Sequence, residues 1–171
     1  NKTILYGYGG FNVCENPDFR GSIVDWVNSG GIYVTTNLRG GAEYGEDWHR
    51  AGILEKKQNV FDDFIAAAEY LIDNGYTKPE KLAIHGGSNG GLLVGALMVQ
   101  RPDLFGAVVC QVPLLDMIHY DRLKIAKSWM SEYGDPSNPD HFKFLHAYSP
   151  YHHVVDGTEY PAILITTAEN D

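Results

Sequence analysis

Five short runs of apolar and β-branched residues recur along the chain, each followed by a longer stretch of helical or turn character. They are Thr3-Ile4-Leu5-Tyr6-Gly7-Tyr8, Ile32-Tyr33-Val34-Thr35-Thr36-Asn37, Lys81-Leu82-Ala83-Ile84-His85, Ala107 to Val112 and Ala162 to Thr167. Their hydrophobicity is nearly continuous rather than alternating, as in parallel strands that are covered on both faces. Between them, Phe61, Phe64, Ile65, Ala68, Leu71 and Ile72 fall at helical spacing and predict a helix over 60–74. Asp62 and Asp63 are placed in its first turn, where the helix dipole favours acids, and Gly75 at its end. A second helix is predicted from Asn89 to about Gln100, stopping before Pro102. Shorter helical patterns run from Asp18 to Asn28 and from Asp140 to Ala147. Strand alternating with helix predicts an α/β fold, with a mainly parallel sheet and helices on both faces. Without repeats, low-complexity tracts or a linker, residues 1–171 read as one domain or most of one.

Composition removes several function classes. Apolar residues make up 44% and charged residues 20%, ordinary for a soluble globular chain. No apolar run approaches the ~20 residues of a membrane helix, so no membrane partner is expected. The formal net charge is −9, from 22 acidic and 13 basic side chains; a nucleic-acid binder shows the opposite balance or a basic stripe. Cys14 and Cys110 form neither a metal spacing nor a disulfide framework. Cys110, inside an apolar run, reads as a small buried hydrophobe. Of the seven histidines, His49, His119, His141 and His146 show no metal-ligand spacing with carboxylates or cysteines, so neither a metal nor a cofactor is expected.

Candidate chemistry concentrates at Gly86-Gly87-Ser88-Asn89-Gly90, a G-x-S-x-G pattern entered by a strand and left by a helix. A nucleophile elbow requires that context, because the sharp turn lifts the serine hydroxyl above the sheet and needs small neighbours on both flanks. The same turn would place the Asn89 backbone N–H beside a developing oxyanion. A dinucleotide fingerprint needs G-x-G-x-x-G and a phosphate-binding loop needs Gly-Lys-Ser/Thr; neither is present. Tyr8, following the first strand, stands where an α/β hydrolase takes its second oxyanion donor. Large aromatics such as Trp129 are, on composition alone, as readily core residues. Arg39 to Gly45 reads as a structural loop, and Asp116 and Asp121 as solvated carboxylates.

Taken together, Tyr6-Gly7-Tyr8-Gly9-Gly10-Phe11, Asn37-Leu38-Arg39-Gly40-Gly41-Ala42-Glu43-Tyr44-Gly45 and Gly86-Gly87-Ser88-Asn89-Gly90-Gly91 resemble the prolyl oligopeptidase family. Gln100-Arg101-Pro102-Asp103-Leu104-Phe105 and Tyr148-Ser149-Pro150 extend the likeness, in order, over essentially the whole chain. The resemblance implies part of an α/β-hydrolase catalytic domain and a cytosolic-type serine endopeptidase that hydrolyses short proline-containing peptides after proline. It implies an N-terminal β-propeller in cis, not contained in this chain. By position, Ser88 would be the nucleophile, and the Tyr8 hydroxyl and Asn89 N–H would bind the oxyanion. Trp129 would stack on the substrate proline, with Phe11 and Tyr133 lining the same pocket. Asp171, in Thr166-Thr167-Ala168-Glu169-Asn170-Asp171, matches the catalytic aspartate. The order Ser, Asp, His then puts the histidine after Asp171, so the 171-residue chain alone is expected to lack normal turnover.

The chain order argues against His152 and His153 as the base, and His85 reads as structural. Three other functions stand beside this one: a sister oligopeptidase cutting after Arg or Lys, a carboxylesterase or lipase on the same fold, and a hydrolase-like domain retained for binding.

Overall fold

The computed structural model describes residues 1–123 and 125–168. Its strands are β1 (Thr3–Tyr6), β2 (Ile32–Thr35), β3 (Leu82–Gly87), β4 (Ala107–Gln111) and β5 (Ala162–Thr166). They form one sheet in the order β2-β1-β3-β4-β5, every neighbouring pair parallel. Each follows an apolar run of the sequence. β3 extends through both glycines of the turn, because Gly86 and Gly87 stay in register with Cys110 and Gln111 of β4.

The helices are α1 (Gly21–Asn28), α2 (Glu46–Arg50), α3 (Gln58–Asp73), α4 (Asn89–Gln100), α5 (Met130–Tyr133) and α6 (Pro139–Tyr148). The crossover from β1 to β2 steps one way along the sheet; those from β2 to β3 and from β3 to β4 step the other way. Right-handed crossovers therefore put α1 on one face and α3 and α4 on the other, and α3 and α4 pack together. The reversal falls between β1 and β3. In such sheets the crevice beyond the carboxyl ends of the two strands at the switch point is the place for a ligand.

Leu5, Ile84, Val108 and Cys110 are fully or almost fully buried with Phe61, Phe64 and Ala68 of α3 and Leu92, Leu93, Val94 and Leu97 of α4. From Asn89 to Leu97 every residue of α4 is buried, which explains why it lacks a polar face. The alternate strand positions Ile4, Ala83 and His85 are only half-buried.

Two sequence expectations change. α3 begins at Gln58, so Asp62 and Asp63 lie beyond its first turn. Asp63 instead pairs with Arg39, whose Nη2 lies 2.6 Å and Nε 3.0 Å from Oδ1, and accepts the Arg39 N–H at 3.0 Å. An acid on this helix is used to pin the Arg39–Gly45 loop, not to complement a dipole. α1 starts at Gly21 rather than Asp18, because Arg20 is extended (φ −129°, ψ 125°) and cannot join a helix. At α6 the Asn138 side chain accepts the Asp140 N–H at 2.9 Å, a side-chain cap one residue before Pro139.

Candidate active site

Ser88 stands between β3 and α4 with φ 56° and ψ −116°, a region that side-chain-bearing residues avoid and that persists only where the surroundings over-determine it. Here they do. The Ser88 N–H donates to the Gln111 carbonyl at 2.9 Å, and the Ser88 carbonyl accepts from Gly91 and Leu92 at 2.9 and 3.1 Å. A Cβ on Gly86 would stand 2.1 Å from the Gly90 carbonyl oxygen, and one on Gly90 2.6 Å from that of Gly7. The turn is thus clamped against itself and against the end of β1. The Ser88 side chain is left exposed, and the Asn89 N–H, in the first turn of α4, has no intrahelical acceptor.

The pocket beside Ser88 encloses about 100 Å³ and is lined by Tyr8, Phe11, Ser88, Leu114, Trp129 and Tyr133. Phe11 and Tyr133 meet edge to face, with centroids 5.4 Å apart and planes at 82°. Trp129 ends a 3-10 turn (Ala126–Trp129) that runs directly into α5. Trp129, Glu132 and Tyr133 thus follow at the three- and four-residue spacing that brings side chains to one face. Burial pushes the Tyr8 hydroxyl above its ordinary pKa, with a hydrogen bond from Ser88 acting the other way and the Glu132 charge adding to the rise. Burial pushes Tyr133 far higher. Both phenols therefore stay protonated as hydrogen-bond donors at neutral pH.

Under the pocket lies a polar cluster that was not foreseen from sequence. The Asn89 side chain is its hub: Nδ2 donates to the Tyr8 carbonyl at 2.7 Å, while Oδ1 accepts from Lys57 Nζ at 3.0 Å and from the Tyr133 hydroxyl at 2.8 Å. Lys57 also donates to the Gly9 carbonyl at 3.1 Å. Glu132 Oε1 accepts the Phe11 N–H at 2.7 Å, and Oε2 lies 2.9 Å from His49 Nε2. Leu114 is a further lining residue that no motif pointed to. No motif in the sequence singles out Lys57 or Glu132; Glu132 stands at helical spacing from Trp129.

Of the residues singled out from sequence, Tyr8, Phe11, Ser88, Trp129 and Tyr133 come together at the switch-point crevice, with Asn89 directly beneath. Asp171 lies outside the described residues. None of the seven histidines is among the residues that line this pocket. His85 Nε2 pairs with Gln111 Oε1 at 2.7 Å, and His152 and His153 both bond to Ser149. Cys110 is a buried thiol whose pKa burial raises to about 11.

The sequence profile of the Prolyl oligopeptidase family matches residues 17–171. The chain belongs to this family. A prolyl endopeptidase of Elizabethkingia miricola is 47% identical across the whole chain, which covers 24% of that protein. A prolyl endopeptidase of Dictyostelium discoideum is 48% identical over 99% of the chain and 22% of its own length. The chain therefore spans about a quarter of the curated relatives it matches. Among solved structures, one from a study of two prolyl endopeptidases and the role of inter-domain dynamics superposes with a TM-score of 0.95 at 62% identity, over 96% of this chain and 24% of that one. A post-proline cleaving enzyme from Rickettsia typhi gives 0.93 at 45%, over 95% and 24%. The parallel sheet with its helices is thus that of the α/β-hydrolase catalytic domain of prolyl oligopeptidases.

Proposed function

We propose that the polypeptide to which this chain belongs is a serine endopeptidase that cleaves short peptides on the carboxyl side of proline. The observation that carries the reading is the meeting of a strained, exposed Ser88 with the Tyr8 hydroxyl and an apolar pocket walled by Phe11, Trp129 and Tyr133. A flat aromatic wall suits a rigid apolar ring. In this mechanism Ser88 Oγ attacks the carbonyl carbon of the proline itself and a histidine beyond Asp171, oriented by Asp171, takes the serine's proton. The Tyr8 hydroxyl and Asn89 N–H stabilise the tetrahedral oxyanion, at roughly 3 kcal/mol per donor. The histidine passes that proton to the leaving amine as the C–N bond breaks, which leaves an acyl group on Ser88, and water activated by the same histidine then releases it. A β-propeller in the remainder of the polypeptide would limit substrates to short peptides.

Cleavage after Arg or Lys would need a carboxylate facing the pocket. Glu132, adjacent to Tyr133, is buried, and both its oxygens are engaged by Phe11 and His49, so the lining favours proline. The test uses the whole polypeptide with Ser88→Ala as control, comparing a Gly-Pro-reporter peptide, an Arg-reporter peptide and a short-chain ester. Selective cleavage after proline, lost in the variant, is expected. Ester turnover without peptide cleavage would leave Ser88 standing and end the proline reading; retention of activity by Ser88→Ala would end both.

A further inference from the structure

The turn after β1 carries both Tyr8 and Phe11, and its own backbone closes it with one bond, from the Val13 N–H to the Gly10 carbonyl at 3.1 Å. Phe11 and Asn12 have φ of 56° and 55°, unfavourable for residues with side chains and maintained only by outside contacts. Beside the Asn12 N–H, which donates to the Gly40 carbonyl at 3.2 Å, three backbone groups are each held by a side chain from outside the turn. The Tyr8 carbonyl is held by Asn89 Nδ2, the Gly9 carbonyl by Lys57 Nζ and the Phe11 N–H by Glu132 Oε1. The anchors are themselves joined. Lys57 donates to Asn89 Oδ1, and its Nζ lies 3.9 Å from Glu132 Oε1. The Lys57 side chain is 1% and that of Glu132 5% exposed.

Burying such a pair is expensive, and apolar side chains of similar volume often serve stability as well or better. Here an apolar replacement would strand the Gly9 carbonyl and the Phe11 N–H, both in the turn that presents the oxyanion donor. We infer that Lys57 and Glu132 are positioning residues, which fix the Tyr8–Phe11 turn over Ser88 so that the oxyanion donor and the aromatic pocket act as one rigid unit. His49 orients Glu132 through its second oxygen. The inference rests on the peptidase function proposed above. Its consequence is selective: a donor displaced by about 1 Å weakens the transition state by up to ~10²-fold, while a ground-state ligand still fits the pocket.

The experiment compares Lys57→Met and Glu132→Gln with wild type in the whole polypeptide. Each is assayed with the Gly-Pro reporter, with a peptide aldehyde ending in proline, whose hemiacetal mimics the oxyanion, and with the corresponding peptide acid, which binds without a covalent bond. We expect kcat to fall ~10- to 100-fold in Lys57→Met with KM nearly unchanged. Aldehyde affinity should fall in proportion, and acid affinity should hold. Glu132→Gln keeps an oxygen for the Phe11 N–H and should lose less, so it serves should Lys57→Met not fold. Undiminished kcat and aldehyde affinity in a folded variant would overturn the inference, as would equal losses of aldehyde and acid binding, which mark general damage. No cleavage by wild type would instead strike the peptidase reading and this inference with it; wild-type cleavage alongside undiminished variants strikes the inference alone.

Discussion

β3 and β5 are written in much the same residues and live in different surroundings. Ile84 of β3 is fully buried; Ile163, Leu164 and Ile165 of β5 are 41%, 58% and 48% exposed. Around β3, α3 and α4 close one face and the turn after β1 closes its carboxyl end. Among the described residues, β5 pairs with β4 alone. The contrast teaches that a continuous apolar run announces a parallel strand without saying how completely this chain covers it. It also shows why the candidate site lies where it does. A strained residue such as Ser88 is sustained only where neighbours fix it from several sides, and that condition is met at the β1–β3 switch point.

The largest expected effect tests the buried side of the contrast. In the 171-residue chain, Phe64→Ala, which empties the space between α3 and the end of β1, should lower unfolding free energy by about 3–5 kcal/mol in a denaturant titration. Tyr8→Phe should leave stability nearly unchanged and lower kcat toward the proline reporter in the whole polypeptide by ~10²–10³. An unaltered kcat would remove Tyr8 from the oxyanion site.

A smaller effect concerns pH. Burial lowers Lys57 from 10.5 to about 8, opposed by the Glu132 carboxylate. The other titratable group against it is the Tyr133 ring, 5.4 Å away, whose own pKa burial drives far upward. Between about pH 8 and 10.5 the folded state binds fewer protons at Lys57 than the unfolded state. The stability contributed by this group therefore rises with pH across that window, by up to about 3 kcal/mol, and is lost as pH falls through 8. Lys57→Met should lack this slope, so wild type gains on the variant from pH 7 to 10 in parallel denaturant titrations. The smallest effect belongs to the open edge: Leu164→Ala in the 171-residue chain should change stability by no more than about 0.5 kcal/mol, as at ordinary surface positions. A cost near that of Phe64→Ala would dissolve the contrast between the two strands.

The five strands, the long helices and the elbow were legible because each is a local pattern: an apolar run, a 3.6-residue period, glycines flanking a serine between strand and helix. The aromatic wall was legible through family likeness, since no local rule separates Trp129 from a core residue. The Lys57–Glu132–Asn89 cluster was not legible, because its bonds join residues far apart in the chain; Phe11 and Glu132 are separated by 121 positions. Charged residues beside loops ordinarily face water, and only the tertiary fold turns these inward. Asp63 was misplaced for a related reason: its true partner, Arg39, lies 24 residues earlier, beyond any helix-dipole rule.

The most direct test of Ser88 as the attacking group is mass analysis after reaction with a phosphonate ester that carries a Gly-Pro-like peptide and traps a nucleophilic serine. In the whole polypeptide we predict a single adduct, located on the peptide containing Ser88 and absent from Ser88→Ala. An adduct on another serine, or undiminished cleavage of the proline reporter by protein whose Ser88 is fully modified, would contradict the account.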